Sequence, residues 1–532
     1  MTDRLRKCTG EQEQGAAGAQ RLKRRKRFAL LLFTGFLGSL LGLGGERAVA
    51  AASGDTADLA RPNILWIVAE DMGPDWGVYG EPESRTPTLD ALAANGMRFT
   101  HAYATSPICS TSRSAFYTGM YSTSIGAHHH RTPADRKQPL PDGVGLLTDY
   151  FRDAGYFTVL AVTLAPPDAG TDGDTIVGSA KRDWNFRYDG RPYDSHDFND
   201  LNHNQPFFAH VQFKEAHRGL AWDTAHERID APANPGKVDL PPYYPDHPIA
   251  RRDWAQYLNA VMAFDVKVGY VLRRLEEQGF ADNTIVVVFA DHGRAMVRGK
   301  QWLYDSGLHI PLVVSWPKAL PPPAGYRRGE VSGRLVTAID LTATTLGMAG
   351  IDPPPLMQGR PFFGKHGVTR RYAFGSRDRA DETVDRIRTV RDKRFRYIRN
   401  YYPDRPYSQQ NIYKETRYPV LRLMFRLHRA GELGPVPSLF MAPTRPAEEL
   451  YDSAADPRQV HNLAHDPAYR EKLVELRAAL SAWEVETNDL GRISEPPDVA
   501  IRIEQRSRER NRELVQAILQ REGPWRVDDG GP

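Results

Sequence analysis

From residue 63 to residue 316 the chain repeats one pattern, an unbroken apolar run followed by a polar connection with helical spacing. The runs are NILWIVA (63–69), YFTVLAV (156–162), FFAHVQF (207–213), TIVVVFA (284–290) and PLVVSW (311–316). Their length suits strands, and the absence of polar alternation suits strands covered on both faces, which are usually parallel. Between them, TPTLDALAANG carries a threonine start signal, a glycine stop, and Leu89 and Leu92 three apart. AQYLNAVMAFDVKVGYVLRRLEEQG (255–279) predicts a longer helix whose apolar face is Leu258, Val261, Phe264, Val268, Val271, Leu272 and Leu275. Strand–helix alternation of this kind predicts an α/β fold, a large mostly parallel sheet flanked by helices.

Beyond about residue 370 the texture changes. VDRIRTVRDKRFRYIRNYY predicts two antiparallel strands around a turn at Arg391, Asp392 and Lys393. PAYREKLVELRAALSAWEVE (467–486) predicts an amphipathic helix with Leu473, Leu476, Leu480 and Trp483 on one side. The expected organisation is a main unit over 51–370, a smaller C-terminal α+β subdomain over 371–490 packed on it, and a charged tail over 491–532 forming a solvated helix with a loose end.

The first 50 residues change the charge argument. RLKRRKRF is a basic stretch, an apolar run follows from Phe28 to Leu43, and Ala48-Val49-Ala50 supplies small residues, the layout of a secretory signal. The apolar run falls short of the ~20 residues of a membrane-spanning helix, so export to the periplasm or medium, without stable membrane insertion, is the expectation. Those 50 residues hold ten of the 70 Lys and Arg and four of the 66 Asp and Glu, so the net charge falls from +4 to −2 without them. A nucleic-acid-binding reading thereby loses its support. Cys8 leaves with the signal, and Cys109 is then alone in a compartment where cysteines usually pair.

Polar residues break the apolar pattern at two strand ends. ILWIVAEDMG ends in Glu70-Asp71, and IVVVFADHG ends in Asp291-His292. Ligands of open α/β sheets bind beyond the carboxyl ends of strands, so both pairs point at one crevice. Singly, such an aspartate serves as a helix cap or turn former. Two pairs, each after a buried type of strand, favour a hard divalent cation such as calcium or magnesium.

Across about residues 62–465 the chain resembles the type I, formylglycine-dependent sulfatases. RPNILWIVAEDMG, TPTLDALAANGMRFTHAY, CSTSRSAFYTG, ADHG, GKQWLYDSGLHIPLVV and ELYDSAADPRQVHNLA follow one another in the family's order. IGAHHHRT, AKRDWNF and RDRADETVDRIRTVRDKRFRYIRN resemble the branch holding heparan N-sulfatase-like enzymes. The resemblance implies an alkaline-phosphatase-like fold and conversion of Cys109 to formylglycine by a formylglycine-generating or anaerobic sulfatase-maturating enzyme. In that family the aldehyde hydrates, one hydroxyl attacks sulfur, and the other collapses to expel sulfate, a route closed to serine. It further implies a calcium site at Glu70, Asp71, Asp291 and His292 with residue 109 alongside, magnesium remaining open, and an Arg113 that holds the diol. Residues from Ser112 onward should be helical, setting Cys109 near a helix N-terminus, where an anion is favoured. The motif departs from the family at Thr111, where proline is usual.

Other site residues follow by the same correspondence. Lys300 in RGKQWLYDSG matches the lysine that binds sulfate, and His217 in FKEAHRG matches the histidine that contacts sulfate or protonates the leaving group. No Gly-Lys-x-His follows YFTVLAV; if 164–178 is an insertion, Lys181 in SAKRDWNF is the shifted second lysine. One of His128, His129 and His130 should line the pocket, although three successive histidines do not easily face one ion. Arg131, Arg294 and Arg298, with Lys393, Arg394, Arg396 and Arg399 and with Tyr397, Tyr401 and Tyr402, are expected either to form a basic aromatic rim for an anionic sugar or to be the charged outer face of a strand pair.

The function implied is hydrolysis of a sulfate ester, or of a sulfamate, on a carbohydrate or aryl compound. A phosphomonoester or phosphonate hydrolase of the same superfamily and a non-catalytic binder of sulfated glycans are the alternatives.

Overall fold

The computed structural model describes residues 61–166 and 176–525; the expected export signal and most of the suggested insertion lie outside them. Leu59–Pro532 form one compact unit. Its main sheet has eight strands: β1 (Asn63–Ala69), β2 (Met97–Tyr103), β3 (Phe157–Thr163), β4 (Ser195–Asp197), β5 (Phe207–Phe213), β6 (Thr284–Ala290), β7 (Leu312–Ser315) and β8 (Val331–Thr337). Their order is β4-β3-β5-β1-β6-β7-β2-β8, parallel except where β7 runs against β6 and β2. Every apolar run named above is a strand, within a residue or so at each end.

β1, β5 and β6 are buried along their whole length, as double-sided cover requires. Trp66 in β1 stands at the centre, edge-on to Phe208 and Phe289, its indole N–H donating to Thr345 at 3.1 Å. The predicted long helix begins earlier than its apolar spacing suggested, spanning Pro248–Glu277 with proline in its first turn and the His247 ring accepting from the Ile249 amide. Its Asp265 accepts from the Leu89 amide at 2.7 Å, capping the Pro87–Asn95 helix from outside.

A second sheet, β12-β11-β10-β9, is antiparallel and made of β9 (Ala373–Arg377), β10 (Ile387–Arg391), β11 (Phe395–Asn400) and β12 (Glu448–Asp452). The expected hairpin is β10–β11. The Arg470–Glu486 helix lays Leu473, Leu476, Leu480 and Trp483 against this sheet, with Trp483 stacked on Phe374 at 5.2 Å.

The tail forms the expected helix, Pro497–Glu522, mostly exposed but docked where Val499 and Ile518 are buried and where Glu522 pairs with Arg422 at 2.9 Å; the expected loose end beyond residue 525 lies outside the described residues. The basic aromatic rim and the charged outer face are both corrected for four of their members, while Arg131, Lys393 and Arg394 keep exposed side chains. Arg294 pairs with Asp75, Arg298 lies buried 3.5 Å from the Tyr304 ring centre, Arg396 pairs with Asp305, and Tyr397 is fully buried. Arg391 also binds Asp305, at 2.8 Å. These guanidiniums are structural ties inside the fold, because a buried charge persists only with a partner.

Candidate active site

Ala69 of β1 and Ala290 of β6 are register partners, so Glu70-Asp71 and Asp291-His292 leave the sheet side by side. The Cys109–Thr118 helix delivers the third component. All ten of its residues are buried, and Ala115 shares an apolar cluster with Val390, Tyr397, Leu450 and Leu476 of the smaller sheet and its helix. Its polar side chains are satisfied locally: Ser112 donates to the Asp291 carbonyl at 2.5 Å, Ser114 to the Ser110 carbonyl at 2.7 Å, and Ser110 pairs with His130 Nδ1 at 2.7 Å. Gly119 ends the helix at φ 68°, with Met357 packed so close that a Cβ there would collide.

Cys109 is the first residue of that helix and is 2 % exposed. Its Sγ lies 3.3 Å from His292 Nε2, 3.6 Å from Asp71 Oδ1 and 3.1 Å from Lys300 Nζ. Lys300 contacts both oxygens of Asp71 at 2.9 Å, and His292 Nε2 is 2.9 Å from Asp71 Oδ1. One ligand atom each from Asp71, Cys109, Asp291 and His292 lie within 4.8 Å of one another. Glu70 stands just outside that group. Its carboxylate meets Arg113 at 3.3 Å and Lys181 at 3.1 Å. Arg113 also holds Asp291 at 3.0 Å and donates to Gln212.

The electrostatics explain why these charges tolerate burial. Burial pushes the Asp71 carboxyl up, but Lys300, His292 and His217 together hold it well below the ordinary range. Burial opposes a charged His292, yet Asp291, Asp71 and the Cys109 position raise it to about 10. Arg113 is likewise held cationic against burial by Asp291 and Glu70. Burial also works against the Lys181 charge, and the Cys109 position and Glu70 raise it. The crevice thus demands positive charge where Asp71 and Asp291 meet, and the donor set fits a divalent cation, with His292 supplying one nitrogen among carboxylate oxygens.

His217 sits at the entrance, 6.2 Å centre to centre from the Tyr413 ring; burial and then Lys300 lower it to about 4. The three histidines do not share an ion. His128 and His129 lean on each other at 4.2 Å, while His130 turns to Ser110 and stands 3.5 Å from Asp381. Sequence reasoning missed Gln212, Asp183, Asp381 and Tyr413. No periodicity marks them, since only the packing of residues 379–414 over the sheet end brings the last two to Cys109.

An α/β sheet with a buried nucleophile position, a cation-ready acidic group and two lysines at its carboxyl end defines a hydrolase for anionic esters. The chain belongs to the sulfatase family: the family model described as Sulfatase matches residues 62–351. A second model, N-sulphoglucosamine sulphohydrolase, C-terminal, matches residues 293–419. An ulvan-active sulfatase of Formosa agariphila is 34 % identical over 471 residues, covering 80 % of this chain and 74 % of its own length. Human N-sulphoglucosamine sulphohydrolase is 28 % identical over 477 residues, covering 81 % and 91 %. The solved structure of a 2-O GAG sulfatase shares the fold with a TM-score of 0.59 at 20 % identity, over 83 % of this chain and 96 % of that one.

Proposed function

We propose that this chain releases inorganic sulfate from a sulfated saccharide, using residue 109 as formylglycine and a divalent cation, calcium first, held by Asp71, Asp291 and His292. The supporting observation is the meeting of Cys109 Sγ with Asp71, His292 and Lys300 inside 3.6 Å. In this reading Sγ marks the place of the hydrated aldehyde's oxygens. When bound, the cation supplies Lewis-acid charge that offsets the two aspartates.

The chain's own residues do the rest. Lys300 and Lys181 bind the sulfate oxygens and counter the charge that builds on them. His217, held neutral by burial and Lys300, is placed to contact the sulfate or to donate a hydrogen bond to the departing sugar oxygen or nitrogen. Arg113 neutralises Glu70 and Asp291 and fixes both strand tips. The match to the N-sulphoglucosamine sulphohydrolase C-terminal model keeps N-sulfate among the substrates to be tried. Residues 1–50 support an exported protein, matured by an enzyme that oxidises Cys109, and the two sheets support a division near residue 370.

Sulfate release, read by ion chromatography, tests the proposal on ulvan oligosaccharides, N-sulfoglucosamine and 4-nitrophenyl sulfate, with 4-nitrophenyl phosphate beside them. Sulfate from at least one saccharide is expected. Turnover of the phosphate ester alone would overturn it.

A further inference from the structure

Near Cys109 stand polar side chains to which neither cation binding nor sulfate binding assigns a role. Arg131 keeps a half-exposed side chain there, its Nη1 3.8 Å from Asp381 Oδ1. Asp381, Asp183 and the Cys109 position all favour its charge. Asp183 stands 3.6 Å from Lys181, and its buried Oδ2 lacks a hydrogen-bond donor. Tyr413 lays its ring 5.4 Å from Lys300 Nζ, while its hydroxyl is buried without a partner.

Arg131, Asp183 and Asp381 also have φ of 55°, 49° and 51°. Side-chain-bearing residues avoid that region at roughly 1–2 kcal/mol each. Such conformations persist where a surrounding structure needs the side chain aimed in one direction.

Two carboxylates beside a site for sulfate repel the very group the lysines attract. They make sense toward something that donates hydrogen bonds and carries no negative charge. Sugar hydroxyls do so, and the guanidinium of Arg131, paired with Asp381 and otherwise half exposed, has N–H groups left to donate to the same ring's oxygens. An aryl sulfate offers neither. Resting on the proposed sulfatase reading, we propose that Arg131, paired with Asp381, together with Asp183 and the unpartnered Tyr413 hydroxyl, is a specificity site that grips the hydroxyls of the sulfate-bearing sugar and so selects saccharides over aryl sulfates.

The test compares the ratio of kcat/KM for the best saccharide of the panel to that for 4-nitrophenyl sulfate. In matured, calcium-loaded enzyme, Arg131→Gln and Asp381→Asn are expected to lower that ratio at least about tenfold, as loss of hydrogen bonds to charged groups does, chiefly through the saccharide KM. Tyr413→Phe should lower it in the same direction. An unchanged ratio, including a parallel fall on both substrates, would overturn the assignment. A wild type that releases no sulfate would defeat the sulfatase reading instead. The clamp is then still read by calorimetric titration with ulvan oligosaccharides: weaker binding by Arg131→Gln supports it, and equal or absent binding by both proteins refutes it.

Discussion

Lys300 bridges Asp71: its ammonium is 2.9 Å from each carboxylate oxygen and 3.1 Å from Cys109 Sγ. One side chain therefore touches the acid expected to hold the cation and the position expected to attack. Replacing it removes a preorganised charge from the reacting centre. Lys300→Ala is expected to lower kcat on 4-nitrophenyl sulfate by about a hundredfold or more, in the range seen when one such donor is lost. A rate within twofold of wild type would remove Lys300 from the machinery.

Lys181 tests the shifted-lysine expectation. It lies 3.1 Å from Glu70 and 22 % of its side chain is exposed, so alanine there leaves no large buried cavity. Lys181→Ala should retain the wild-type melting temperature within a few degrees and lose activity by about tenfold or more. Full activity would return Lys181 to an ordinary ion pair.

Cation binding has a readout independent of turnover. After chelation, added calcium should stabilise the folded protein by about 2.7 kcal/mol at a hundred times its Kd. Asp291→Asn should lose that shift, whatever its starting stability, since the variant also loosens Arg113. Titrations with magnesium and manganese alongside rank the ions. A melting temperature indifferent to all three would refute the site.

Thr111 bears on maturation. Its hydroxyl donates to the Ile108 carbonyl at 3.0 Å and pairs with Ser106 at 2.5 Å, tightening the turn before the helix. It stands in the first turn, where proline costs no intrahelical hydrogen bond. Thr111→Pro should fold and, by restoring the family pattern, raise the formylglycine fraction at residue 109, measured by tryptic mass spectrometry. An unmodified thiol in wild type and variant alike would end the proposed chemistry.

How much of this was legible beforehand depends on the kind of signal. β1, β5 and β6 declare themselves because every position is buried, and the strand-end acids stand out against them. β2 (MRFTHAY) shows no apolar run, because its half-buried positions mix polar and apolar residues. β8 starts with an exposed Val331 and mixes polar and apolar residues, so no apolar run marks it. The hairpin β10–β11 was visible, but not that its arginines point inward: Arg388 looks like a surface residue until Asp378 and Asp489 are placed at 3.1 and 2.6 Å. Tyr413 and Asp381 carry no local mark at all.

The histidine pair behind the nucleophile helix predicts a pH effect. Burial, against a partial pull from Asp378, lowers His128 to about 4, and burial with Arg379 and Arg388 lowers His129 to about 3. Unfolded, both protonate near 6.5. Between pH 6.5 and about 4 the unfolded chain therefore binds more protons, and the stability present above 6.5 is lost on acidification at ~1.4 kcal/mol per pH unit per imidazole. Glu382 and Asp265, raised mainly by burial to about 7 and about 6, pull the opposite way in wild type. The clean observable is the stability difference between wild type and His128→Gln, which should shrink by that slope as pH falls below 6.5. A constant difference would show that His128 does not titrate on unfolding.

The 2 % exposure of Cys109 imposes an order of events. Once its helix is clasped between the two sheets, no other protein can take hold of the backbone around it. The oxidising enzyme of the proposed maturation would have to meet that segment while the chain is still open, or wait for it to open again. On the proposed maturation, a molecule that closes first keeps its thiol until the segment reopens, so the fraction of active enzyme in a preparation follows a race between folding and oxidation, and adding cation afterwards does not change it.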